Sequence, residues 1–118
     1  MTFSTVDIDL DSMRASASRT CGMLKTLSNP DRLLLLCQIS QGERCVSDLE
    51  AALDIHQPTL SQQLGVLRDE GLVSTRRDGK RIYYSIASQE ALAVMQVLYE
   101  QFCGTRPRRA RLSRAKKP

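Results

Sequence analysis

The sequence predicts a mainly α-helical domain with one small β-hairpin, in the order helix, helix, helix, helix, strand, strand, helix. Three observations carry that prediction. Apolar residues recur at spacings of three and four over most of the first 70 positions, and again from about Gln89 to Phe102. Between those stretches, from Leu72 to Ile86, the period drops to two around Asp78-Gly79, a strong signal for a two-residue hairpin. Aromatic content is 4% with no Trp, so aliphatic side chains must fill the core, which suits helix-on-helix packing. A chain of 118 residues is long enough for one such core and too short for two.

Residues 1–10 read as a frayed N-terminus. From Asp11 to about Leu27, Met13, Ala17, Cys21, Leu24 and Leu27 form one helical stripe, with Asp11 or Ser12 as the expected cap. Asn29-Pro30 breaks the chain, and Pro30 fits a first helical position. The second helix, about Pro30 to Ser40, carries Leu33 to Leu36, Cys37 and Ile39; it is apolar on most faces and belongs in the core. Gly42 ends it, and Cys45-Val46 reads as a short extended link. Ser47 with Glu50 three residues on reads as a capping box for a brief helix to Leu53 that buries Leu49 and Leu53. After a turn at Asp54-Ile55-His56, Gln57-Pro58 opens a longer helix to about Glu70, with Leu60, Leu64 and Leu67 inward and Gly71 as its C-cap. Strands follow at Leu72 to Arg77 and Lys80 to Ile86. Ser88 caps a last helix, apolar at Leu92, Met95, Val97 and Leu98. The domain therefore spans residues 11–103, followed by a tail at 104–118.

Charge divides the chain at the same boundary. The net charge is +4, but Gly104 to Pro118 holds seven basic residues and no acidic ones, leaving ten basic and thirteen acidic residues, a net charge of about −3, over 1–103. The tail is expected to be a disordered basic arm able to neutralise phosphates, the alternative being a solubilising tail without a partner. No apolar run approaches the roughly 20 residues of a membrane span, and the acidic stretch Met1 to Asp11 lacks a basic-then-apolar leader pattern. A cytoplasmic protein with no membrane association is expected. In that setting the four cysteines, none in C-x-x-C spacing, are core fillers, metal ligands or redox sensors rather than a disulfide scaffold.

Two helices joined by a short turn and followed at once by a basic hairpin make a winged helix-turn-helix. The second of those helices is the candidate reader of duplex DNA. His56 precedes it, and its polar face offers Gln57, Thr59, Ser61, Gln62 and Gln63, side chains that hydrogen-bond base edges and phosphates. A merely solvated face would be rich in Lys and Glu; this one is uncharged over its first two turns. Arg76, Arg77, Lys80 and Arg81 surround the hairpin tip and would raise affinity by releasing counterions. One His, no Gly-rich phosphate loop and no paired carboxylates argue against an enzyme, and no cofactor is expected. An architectural or RNA-binding protein is the other alternative, but only Tyr83 and Tyr84 are adjacent stacking candidates.

Leu27-Ser28-Asn29-Pro30-Asp31-Arg32, Val46-Ser47-Asp48-Leu49, Gln57-Pro58-Thr59-Leu60-Ser61-Gln62-Gln63-Leu64-Gly65-Val66-Leu67-Arg68 and Gly71-Leu72-Val73 together resemble the ArsR/SmtB repressors, over roughly residues 12–103. The resemblance implies a homodimer built on the first and last helices, occupying an operator in double-stranded DNA until an inducer acts. Arsenite-type members carry two cysteines around a Val before the reading helix; here Cys45 is present but Ser47 replaces the second, so a soft metal loses a thiolate. Zinc-type members carry Asp and His pairs on the final helix, and this one has no His. No metal site is therefore expected, and a metal- or metalloid-responsive repressor is the alternative. The placement of Cys37 and Cys103 resembles the subgroup that responds to reactive sulfur species or oxidants, whose two equivalent cysteines join as a disulfide or polysulfide. A direct bridge needs Cα atoms about 4.4–6.8 Å apart. It would tie the last helix to the core helix and shift the angle between two reading heads, and DNA half-sites demand fixed spacing. On its residues alone, Cys37 also fits a plain core position. Cys21 is expected to pack, and Cys45 to be a bystander or a backup thiol.

Overall fold

Helix α1 (Leu10–Leu27) opens on Asp9 in the computed structural model, which describes residues 5–104. The Asp9 carboxylate accepts from the Ser12 backbone N–H at 3.3 Å and from its hydroxyl at 2.6 Å, bonds that hold its pKa below the usual carboxylate range. The expected cap at Asp11 or Ser12 is thus corrected: Ser12 is the donor one turn inside, not the cap. Of the 18 residues of α1, only Thr26 and Leu27 are buried.

Asn29 caps α2 (Pro30–Ser40) by accepting from the Arg32 N–H at 3.1 Å, with Pro30 in the first turn where its missing N–H costs nothing. Leu35, Leu36 and Ile39 of α2 are buried, while Leu34 is exposed, so the helix has an outer face that its composition hides. Strand β1 (Arg44–Cys45) and α3 (Val46–Leu53) follow. The Asp48 carboxylate accepts from the Cys45 N–H at 3.2 Å, so the capping box lies two residues before the expected Ser47/Glu50 pair. The reason is backbone geometry: Cys45 is extended (φ −93°, ψ 170°) and Val46 already helical, which leaves Ser47 and Glu50 inside the helix. Asp54, in the left-handed region at φ 56°, ends α3 by donating its N–H to the Glu50 carbonyl at 3.0 Å.

Helix α4 (Thr59–Asp69) buries Leu60, Leu64 and Leu67 almost completely. Strands β2 (Val73–Asp78) and β3 (Arg81–Ile86) form the hairpin, with Gly79 at φ +66°, a conformation few other residues tolerate. The link expected at Cys45-Val46 lies one residue earlier and is a strand, Val46 being already helical: β1 pairs antiparallel with β3, Arg44 opposite Tyr84 and Cys45 opposite Tyr83, giving a three-stranded sheet in the order β1-β3-β2. Helix α5 (Gln89–Cys103) starts at Ser88, whose hydroxyl accepts from the Ala91 N–H at 3.0 Å.

The core is aliphatic, as the composition requires. Leu35, Leu36, Ile39, Leu49, Leu60, Leu64 and Leu67 are its largest fully buried side chains, backed by Leu72, Val73, Tyr84, Ala91 and Met95. Each large one contributes about 1.5–3 kcal/mol by leaving water. Three of the seven belong to α4, so that helix is fixed to the body and its outer face is held in a set direction.

Most of α1 lies off the core, with only Thr26 and Leu27 of its residues buried. Among the described residues no helix is long and apolar enough to cross a membrane. Residues 5–9 precede the first helix, Leu10 is already helical although expected in the N-terminal segment, and the segments 1–4 and 105–118 lie outside the described residues.

Candidate nucleic-acid interface and thiol pair

The first turns of α4 and the β2–β3 hairpin form the candidate interface, but the structure divides the expected contact residues into two groups. Ser61 and Gln62 are exposed and Thr59 half-buried on α4, and among the described residues none of their side chains is engaged in a hydrogen bond. The other three polar residues have partners within the chain. Gln57 Oε1 accepts from the Ser61 N–H at 3.1 Å, satisfying one of the free donors at the start of α4. Gln63 Oε1 accepts from Arg32 Nη1 at 2.9 Å, which draws it toward α2. His56 lies between two carboxylates, its Nδ1 3.1 Å from Glu50 and its Nε2 2.7 Å from Asp54. Hydrogen bonds to Glu50 first and Asp54 second raise its pKa above the ordinary imidazole value.

The hairpin shows the same division. Arg76 grips Glu43 with two charge-assisted bonds of 2.7 Å, its guanidinium 4.6 Å from the centre of the Tyr83 ring. The Ser85 hydroxyl donates to the same carboxylate at 3.4 Å. Arg76, bonding Glu43, holds that carboxyl below its usual range. Arg77, Lys80 and Arg81 are exposed and, among the described residues, have no ion-pair partner. The free cations of the tip are therefore three, and Arg76 is already neutralised. Sequence reasoning missed Arg32 and Glu43 because each lies more than 30 positions from the residue it holds.

The four thiols differ in their surroundings. Cys37 is half-buried on α2; burial raises its thiol pKa, and the nearby Cys103 raises it further. Cys103 ends α5 in solvent, and both are free thiols. The fold thus brings the two within electrostatic reach although 66 positions separate them in sequence. Cys45 is buried, its Sγ 3.2 Å from the Ser47 hydroxyl. Cys21, expected to pack, is instead exposed, because the stripe of α1 faces away from the body of its own chain.

The family model of bacterial regulatory proteins of the arsR family matches residues 29–75, from the α2 cap into β2. The biofilm growth-associated repressor of Agrobacterium fabrum is 50% identical over 97 residues, 82% of this chain and 83% of that protein. Among solved structures, the transcriptional repressor BigR from Xylella fastidiosa superposes with a TM-score of 0.78 at 45% identity, over 81% of this chain and 98% of its own. Reduced HlyU from Vibrio cholerae gives a TM-score of 0.74 at 33% identity, over 78% and 97%. The fold is shared across nearly the whole length of both solved structures. The chain belongs to the ArsR family of bacterial regulatory proteins, and it is a regulator, not an enzyme.

Proposed function

We propose that the chain is a homodimeric repressor that occupies operator duplex DNA and releases it when Cys37 and Cys103 become bridged. The observation that carries the sensing half is the pair itself: two free thiols, one half-buried on the core helix and one exposed at the end of α5, close enough for the second to raise the pKa of the first. The exposed Cys103 is the thiol that meets the inducer. Its thiolate attacks the sulfane sulfur of a low-molecular-weight persulfide, giving a Cys103 persulfide and the free thiol of the donor. Cys37 then attacks the Cys103 sulfur, forming the disulfide and expelling hydrosulfide. A peroxide reaches the same bridge by taking two electrons and releasing water. Solved relatives described as a repressor and as a reduced regulator support this reading.

The dimer is supported by what α1 and α5 leave uncovered. Leu10, Met13 and Leu24 of α1, and Val97, Tyr99 and Phe102 of α5, are all exposed, Phe102 at 82%. On DNA, Thr59, Ser61 and Gln62 face the bases and nearby phosphates, Arg77, Lys80 and Arg81 contact the backbone, and residues 104–118 add a sequence-independent basic arm. Deleting that arm lowers affinity and flattens salt dependence without changing sequence preference.

Intact mass before and after glutathione persulfide, beside a mobility-shift assay on the protein's own promoter, tests the reading. A loss of two hydrogens, or a gain of whole sulfur atoms, accompanied by DNA release is expected. Cys37→Ser and Cys103→Ser should bind DNA and ignore the persulfide. Release by zinc or arsenite but not by persulfide would overturn the thiol switch in favour of a metal-responsive repressor.

A further inference from the structure

Arg32 joins three helices with a single guanidinium. Its Nε donates to the Thr26 carbonyl at 2.8 Å and its Nη2 lies 3.4 Å from the Lys25 carbonyl, both at the C-terminal end of α1. The Lys25 carbonyl also accepts from the Ser28 N–H at 3.2 Å and its hydroxyl at 2.7 Å, and the helix end carries partial negative charge that favours a cation. Its Nη1 donates to Gln63 Oε1 on α4 at 2.9 Å. Its own backbone N–H is held by the Asn29 cap at the start of α2. Thr26 is buried, so the α1 end of this junction does not drift in solvent. Burial of Leu60, Leu64 and Leu67 holds α4 against the body of the fold, and this guanidinium adds a directional polar link from α4 to the end of α1.

We infer that the Arg32–Gln63 bridge is a positioning strut: it fixes the rotation of the reading helix α4 relative to α1, and thereby the separation and facing of the two reading helices in the assembled repressor. The inference rests on the proposed operator-binding dimer. Gln63 was among the expected base contacts; here its amide oxygen serves the protein's own geometry, and its place on α4 transmits that geometry. A planar, forked guanidinium suits the task, because it binds two carbonyls and an amide oxygen in one plane, whereas an ammonium on a flexible stem does not fix direction. Arg32 touches no nucleic acid in this scheme and acts through Gln63.

The test is binding-site selection with the full chain. Inverted-repeat DNA is selected from a random pool with the unsubstituted protein, and the half-site separation is then varied by one and two base pairs. Arg32→Lys and Gln63→Met are measured on the same set, with melting curves to show that each is folded. The expected result is that both variants lose about tenfold in their preference for the native separation, share that change, and show no further loss in the double variant, while base preference within each half-site stays as it was. Gln63→Met alters a half-exposed position and keeps the test open if Arg32→Lys does not fold. An altered preference at one base in Gln63→Met alone would make Gln63 a base reader and overturn the strut. An unchanged separation preference in both variants would overturn it too. Failure of the unsubstituted protein to select any inverted repeat would overturn the operator-binding dimer, and the strut with it.

Discussion

Substituting Glu43→Gln should strengthen DNA binding by releasing a cation. In the structure Arg76 is neutralised by two bonds of 2.7 Å to Glu43, while Arg77, Lys80 and Arg81 are unpaired among the described residues. A cation freed to meet a phosphate adds about 0.9 to the slope of log affinity against log salt. Two wings in a dimer double that, to about 1.8. Between about 50 and 200 mM salt, the affinity of Glu43→Gln should therefore fall roughly tenfold more than that of the unsubstituted protein, and at the low-salt end it should bind more tightly. Lys80→Ala should move the slope by a similar amount in the opposite direction. Arg76→Ala should weaken binding with little change in slope, because it removes no free cation and leaves a carboxylate facing the DNA. The assay is fluorescence anisotropy on one operator duplex across a salt series. An exposed pair contributes little to folding, so melting temperatures should barely move. If Glu43→Gln keeps the original slope while Lys80→Ala lowers it, Arg76 already exchanges Glu43 for phosphate on binding, and the reasoning from the free structure is refuted.

Three further outcomes follow from geometry. His56, hydrogen-bonded by Glu50 and Asp54, should titrate by NMR above the ordinary imidazole value. Since its folded pKa is the raised one, its contribution to stability is complete below the unfolded value and disappears as pH rises through the folded value. Glu50→Gln should lower the midpoint, and a midpoint at or below that of free histidine would contradict the contacts. Leu64→Ala, at a position 1% exposed, should cost about 2–5 kcal/mol in urea unfolding at fixed protein concentration, and a loss under about 1 kcal/mol would mean the site collapses around the gap. Alkylation followed by peptide mapping should modify exposed Cys103 before half-buried Cys37 and buried Cys45, and modification of Cys37 first would reverse the proposed order of attack.

Most of the fold was legible because its signals are local. Asn29-Pro30 and Ser88 mark element boundaries by backbone chemistry that acts within a few residues, and the structure uses both where they are read; the hairpin forms as expected, but its turn falls one residue later, at Gly79-Lys80, because Asp78 stays in β2 and pairs with Arg81. Strand β1 was not legible, because two residues carry no period; it exists only because β3 offers Tyr83 and Tyr84 as partners. The caps lie at Asp9 rather than Asp11 or Ser12, and at Cys45 rather than Ser47: Asp9, Asp11 and Ser12 are equally good capping types, whereas Cys45 is not one and takes the place through its extended backbone and the Asp48 carboxylate. The polar face of α4 was visible as a set of residues but not as a division of labour. Gln57 and Gln63 look like Gln62 in sequence, yet one caps the helix and the other meets Arg32 from 31 positions away. Arg76 likewise looks as free as Arg77 until Glu43 is placed beside it.

Helix α1 has a consequence of another kind. It is about 27 Å long, buries two residues of its own chain, and is built largely from Ser, Thr, Arg and small residues that do not sustain an isolated helix of this length in water. In the proposed dimer its helicity is shared between two chains. It should then rise with chain concentration, as mass action brings the partner's apolar surface onto Leu10, Met13 and Leu24. Mean residue ellipticity at 222 nm, followed down a dilution series, should fall by the share of the helix that dissociation unwinds. For such a protein, how much of it the cell makes is part of what determines its shape.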